Sequence, residues 1–197
     1  MYERFRDIGR DIYVAGLISS HGGNMSVRDG DDHILITRRG SMLGRLGHDD
    51  LVRTGIGACE EDEHCSRELV VHRAIYNACG ARAVVHAHAI HTIFRSLVAD
   101  TIEPLDSESR YVVGASVSVL TPRETIGSAE AAEMLAEEFA GGAKIAILRS
   151  HGPFAVGATL EEAFYHVSCL EASCRILDLR DSTGLALRTA QEEDTHD

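Results

Sequence analysis

His86-Ala87-His88 closes the apolar run Ala83-Val84-Val85. In a strand alternate side chains share a face, so these two imidazoles can converge. Converging imidazoles at the end of a buried strand make half of a metal site. Taken alone, His-x-His also fits a pair of ordinary surface or core histidines. His151 follows a second apolar run, Ile145-Ala146-Ile147-Leu148, so two strand ends can deliver three imidazoles. Glu68 stands at the start of the helix expected before the His86 strand. It can complete a tetrahedral site or act as a base. It equally fits an acid favoured by the helix dipole, and His151-Gly152 equally fits a loop histidine before a tight turn. Gly22-Gly23-Asn24 reads as a plain turn or as a backbone able to approach an anion.

The elements that must position these residues read as α/β. Phe5, Ile8, Ile12, Val14 and Leu17 describe an amphipathic helix over 2–17. Met25 to Arg28 and His33 to Thr37 read as strands around Asp29-Gly30-Asp31. Arg38 to Asp50 reads as a Gly-rich basic loop, followed by a strand over Leu51 to Ile56. Ser66 to Asn77 reads as a helix with Gly80 as its C-terminal cap, then Ala83 to His86 as a buried strand. Ile90 to Val98 reads as helix, Val112 to Leu120 as β-rich, Ala129 to Phe139 as helix and Lys144 to Leu148 as strand. After Phe154 to Val156, Thr159 caps a long helix from Leu160 to about Leu179. A single domain over 1–181 and a polar, flexible tail over 182–197 are expected.

Composition narrows the function classes. The chain has 197 residues, 44% hydrophobic, which suits one domain with a substantial core. Its formal net charge of -12 disfavours nucleic acid and anionic membrane as partners. A few local arginines can still build a pocket for a small anion. No apolar stretch approaches the about 18–20 residues of a membrane span. Met1 to Arg10 lacks the apolar core of a signal peptide. Five cysteines without CxxC spacing fit reduced thiols. A cytoplasmic location is the expectation.

Several motifs occur together and in order. They are Gly22-Gly23-Asn24-Met25-Ser26-Val27-Arg28 and Ile36-Thr37-Arg38-Arg39-Gly40, then Ser66-Arg67-Glu68 with His72, Ile75 and Tyr76. Val84-Val85-His86-Ala87-His88 follows, then His151-Gly152 with Gly157 and Leu160-Glu161-Glu162-Ala163. This pattern resembles the class II aldolase/adducin head family, from about residue 2 to 180, and within it most the L-fuculose-1-phosphate aldolases. The resemblance implies a three-layer α/β/α fold with a mainly antiparallel central sheet. It implies Zn²⁺ held by His86, His88 and His151, with Glu68 as ligand or acid/base. It further implies a homotetramer with sites at subunit interfaces. A phosphate would be held by Gly23, Asn24, Thr37, Gly40 and Ser66. Three imidazoles and a carboxylate also accept Mn²⁺, Co²⁺ or Fe²⁺.

The expected reaction is retro-aldol cleavage of a small phosphorylated ketose to dihydroxyacetone phosphate and an aldehyde, through a metal-stabilised enediolate. Two departures bear on the substrate. Arg39 and Arg67 stand where aldolases of this kind carry small hydroxyl residues. Guanidinium groups also suit an anion, and bidentately; both could instead face solvent. They motivate the alternative of a decarboxylase or dehydratase acting on a carboxylate-bearing or other anionic substrate. A pentulose-phosphate 4-epimerase uses the same chemistry. The tyrosine that serves as proton donor in that pattern is missing, with Ser107 near its position. Asp106 and Tyr111 are the nearby candidates. Adducin-type heads have lost the histidine ligands, which this chain keeps.

Overall fold

The structure, a computed structural model, describes residues 1–58 and 60–186. Eight strands form one sheet in the order β3-β2-β1-β4-β8-β7-β6-β5. They are β1 Asn24–Asp29, β2 His33–Thr37, β3 Leu51–Gly55, β4 Ala83–His86, β5 Thr101–Ile102, β6 Val117–Leu120, β7 Ile145–Leu148 and β8 Gly152–Gly157. Every neighbouring pair is antiparallel except β6 with β7.

Helices cover both faces of this sheet, which explains why its central strands read as unbroken apolar runs. Val85, Ala83, Ile145 and Ile147 turn to one side, where α1 (Tyr2–Val14), α4 (Ser107–Val113) and α6 (Leu160–Thr183) pack through Phe5, Ile12, Val112 and Leu170. Val84, Ala146 and Leu148 turn to the other. There α2 (Leu69–Ala78) and α5 (Ala129–Ala140) pack through Val71, Ile75, Leu135 and Phe139. The result is the expected three-layer α/β/α arrangement with a mostly antiparallel sheet.

Five expectations about elements are corrected. The first helix stops at Val14, which is 73% exposed; Gly16 then takes φ +71 and turns Leu17 into the core. The basic loop after Thr37 contains two short 3-10 turns, Leu43–Arg45 and His48–Asp50. Gly80 does not cap α2, because Cys79 leaves the helix in an extended conformation. The stretch from Val112 is not uniformly β: α4 runs through Val113, and β6 starts at Val117. Finally, α6 continues to Thr183 and ends on Gly184 with φ +63. Of the expected tail, residues 187–197 lie outside the described residues, as does Cys59. The Thr159 cap is present, its hydroxyl accepting the Glu162 N–H at 3.2 Å.

One helix is built inside out. In α3 (Ile90–Val98) the buried residues are Thr92, Arg95 and Ser96, while Ile90, Phe94, Leu97 and Val98 are exposed. Glu171 of α6 explains the polar inner side. Its carboxylate accepts the His91 and Thr92 N–H groups and the Thr92 hydroxyl, satisfying the first turn of α3. Among the described residues no helix is long and apolar enough to cross a membrane.

Candidate active site

Two chain reversals bring the histidines together. Strand β4 delivers His86 at its end, with Asn24 of β1 and Phe154 of β8 as its partners on either side. His151 lies in the turn between β7 and β8, its N–H bonded to the Leu148 carbonyl at 3.0 Å. Gly152 makes this turn possible. Its φ is +139, and a Cβ there would stand 2.2 Å from the Ala87 carbonyl oxygen. No larger residue lets the His151 turn lie this close to the His86-His88 segment.

One ring nitrogen from each of His86, His88 and His151 falls within 4.8 Å of the others. The His86 ring lies nearly parallel to both His151 and Phe154, with centroids 4.6 and 4.0 Å away. Its Nδ1–H donates to the Pro153 carbonyl at 3.0 Å, which leaves the Nε2 lone pair free. That Nε2 lies 3.1 Å from His88 Nε2. Burial, then the neighbouring His151 and His88 rings, holds His86 well below the usual imidazole pKa. Burial and His151 likewise lower His88. Both rings are therefore neutral at pH 7, the form that ligates metal.

His151 Nε2 is buried and has no hydrogen-bond partner, although Glu68 Oε1 is 3.4 Å away. A ring nitrogen and a carboxylate oxygen facing each other in this way suit a shared cation. Glu68 occupies the N-cap position of α2 but makes no capping bond. Its Oε2 instead accepts the Gly127 N–H at 3.1 Å. The helix-dipole reading of Glu68 thus gives way to a carboxylate held towards the histidines. Three imidazoles and one carboxylate are a donor set that fits a divalent metal.

These groups share a cavity of about 300 Å³. Gly23, Asn24, Arg39, Gly40, Ser66 and Arg67 line it with the histidines and Glu68. Thr37 does not. Its side chain is buried, and its hydroxyl accepts the Met25 N–H at 3.2 Å, so it supports β1 rather than facing the cavity. Asp106 and Tyr111 do not line the cavity either. Asp106 caps α4, accepting the Ser109 N–H at 2.8 Å. Burial pushes its pKa up, but the Ser109 N–H together with the neighbouring Ser173 and Ser109 hydroxyls outweighs this and holds the carboxyl below its usual value, the wrong direction for a proton donor. Tyr111 is 88% exposed.

Sequence reasoning missed four lining residues, His21, Arg38, Ser41 and Ile126, and the Gly127 amide. His21 and Arg38 were readable from their places beside Gly22 and Arg39. Ile126 and Gly127 carried no local motif. Three arginines and a single carboxylate line the cavity of a chain whose net charge is -12. Arg38 Nε donates to the Asp49 carbonyl at 2.8 Å, and Arg39 Nε to the Cys65 carbonyl at 3.3 Å. Arg67 makes no hydrogen bond or ion pair among the described residues.

Residues 3–177 match the Class II Aldolase and Adducin N-terminal domain. The crystal structure of l-fuculose-1-phosphate aldolase from Thermus thermophilus superposes with a TM-score of 0.87 at 37% identity, covering 94% of this chain and 98% of that one. A 3-oxo-tetronate 4-phosphate decarboxylase of Haemophilus influenzae is 30% identical over 86% of this chain and 82% of its own length. A probable bifunctional methylthioribose-1-phosphate isomerase/methylthioribulose-1-phosphate dehydratase of Nocardia farcinica is 30% identical over 96% of this chain. The match spans only 36% of that longer protein. By this match and by its fold, the chain belongs to the class II aldolase and adducin N-terminal domain family.

Proposed function

We propose that this chain is a metal-dependent carbon–carbon lyase, an aldolase that cleaves a small phosphorylated ketose. The observation that carries the reading is one cavity with the His86-His88-His151 cluster and Glu68 beside three arginines, of which Arg67 has no partner among the described residues. His86, His88 and His151 would hold the metal, with Zn²⁺ first among the candidates for such a donor set. When bound, the metal supplies Lewis acidity for negative charge forming beside a carbonyl.

The protein's own groups do the rest. Asn24, Arg39, Arg67 and the Gly23 and Gly40 backbone bind the anionic end of the substrate and set its position. Retro-aldol cleavage breaks the bond between the carbon beside the carbonyl and the carbinol carbon. The carbinol O–H gives its proton to solvent, the aldehyde departs, and the electron pair stays on the carbon beside the carbonyl. Glu68, fixed through Oε2 to Gly127, moves the proton at that carbon.

Decarboxylation of a substrate bearing both a phosphate and a carboxylate is the second reading, and it rests on Arg67. A guanidinium without a protein partner among the described residues, beside a second arginine, suits an additional anionic group. The resemblance also suggests a homotetramer with sites at its interfaces, supported by the exposed Ile90, Phe94, Leu97 and Val98 of α3. In such an assembly the exposed Tyr111 phenol is available to a neighbouring copy, whereas Asp106 is committed to its helix.

A screen of the zinc-loaded protein tests both readings. It compares fuculose-1-phosphate, ribulose-1-phosphate, 3-oxo-tetronate 4-phosphate and methylthioribulose-1-phosphate with product identification. Aldehyde release from a ketose phosphate supports the aldolase, and CO₂ release supports the decarboxylase. Absence of stoichiometric divalent metal after loading would sink both.

A further inference from the structure

Behind the cavity wall, β1 and α2 trap a line of polar side chains. Tyr76 Oη lies 2.8 Å from Ser26 Oγ, and Ser26 Oγ lies 2.6 Å from His72 Nδ1. His72 Nε2 lies 2.5 Å from Asn24 Oδ1. Ser26 and His72 have no exposed surface, and Tyr76 has 1%. Of the four, Asn24 alone lines the cavity.

The protons in this line follow by elimination. Burial keeps the Tyr76 phenol protonated by raising its pKa. Among the described residues its proton has one acceptor, Ser26 Oγ. The Ser26 proton then has one acceptor left, His72 Nδ1. Burial lowers the His72 pKa to about 3, so the ring is neutral, and a neutral ring accepting at Nδ1 carries its proton on Nε2. That N–H donates to Asn24 Oδ1. With its oxygen engaged, the Asn24 amide presents its NH₂ group on the remaining side.

We infer that His72 is a positioning residue that orients the Asn24 amide so that its N–H donors, not its carbonyl oxygen, face the anionic end of the ligand. The inference rests on the reading of Asn24 as an anion contact. It adds a cause for that contact: Tyr76 and Ser26 set the His72 tautomer, and the tautomer sets the amide. Without His72 the amide is free to flip, and in the flipped form an acceptor meets an anion.

Two measurements on the full-length zinc-loaded chain test this. The ¹⁵N spectrum of His72 is expected to show the neutral Nε2–H tautomer, unchanged from about pH 5 to 8. An Nδ1–H tautomer overturns the inference, and this readout needs no variant to fold. Inorganic phosphate is the probe for the second. His72→Leu is expected to weaken phosphate binding about tenfold. His72→Gln, which offers an amide N–H near the Nε2 position, is expected to restore it to within about twofold. Wild-type affinity in His72→Leu, beside weakened binding in Asn24→Ala, overturns this inference alone. Wild-type affinity in Asn24→Ala overturns the anion-pocket reading with it.

Discussion

Two groups of buried imidazole lie within one small region, and they differ in how their nitrogens are spent. Both nitrogens of His72 are engaged, with Ser26 and Asn24. His86 spends Nδ1 on Pro153 and turns Nε2 towards His88 Nε2, 3.1 Å away, and the buried His151 Nε2 has no hydrogen-bond partner among the described residues. Burial and a lowered pKa are common to His72 and His86, so neither property separates a supporting histidine from a candidate ligand. The free lone pair does. A buried nitrogen without a partner is costly unless something else satisfies it.

The sharpest way to break the contrast is His88→Ala. Stoichiometric metal should be lost, and kcat/KM should fall at least about 10³-fold, some 4 kcal/mol of transition-state stabilisation. Metal analysis beside kinetics checks both, and retained metal with retained turnover would erase the distinction. Glu68→Gln should keep the metal and lower kcat by about 10²- to 10³-fold, with less change in KM. An equal loss of metal would make Glu68 a ligand first and a base second.

The arginines sharpen the comparison further. Arg67→Ser should raise KM about tenfold, and Arg39→Ser only a few-fold, since Arg39 already donates to the Cys65 carbonyl. Steady-state kinetics on the turned-over substrate decides, and equal effects would argue against the unpaired state of Arg67 as the cause.

The last prediction concerns stability rather than turnover. His72 titrates near 6.5 in the unfolded chain and about 3 in the folded one. Between these values unfolding takes up a proton, so stability falls as pH drops below about 6.5, by roughly 1.4 kcal/mol per pH unit. Above that range His72 contributes no pH dependence. Denaturation midpoints measured across this range should show a shallower acid slope in His72→Gln.

The convergence of His86, His88 and His151 was legible because each follows an apolar run that reads as a buried strand, and side-chain alternation did the rest. Glu68 was legible in position but not in direction, since its partners Gly127 and His151 are distant in sequence. The β-rich look of Val112 to Leu120 hid α4, though Asp106, the residue that caps it, was in view and was read instead as an acid. The resemblance alone placed Thr37 against the ligand; in the strand its hydroxyl is taken up by the Met25 N–H. The His72 line was invisible for a different reason. Its members come from β1 and α2, and no local pattern tells a polar residue on an apolar face that its partner waits across the layer.

Asn24 and His86 are direct partners across the β1–β4 ladder. Their separation is therefore a property of the sheet, as inflexible as the spacing of two teeth on one gear. Under the proposed function the cavity behaves as a ruler whose two marks, the candidate metal end and the candidate anion end, are fixed by that ladder, while Arg39 and Arg67 stand outside the strands. A substrate much longer than the ruler would need a strand to move.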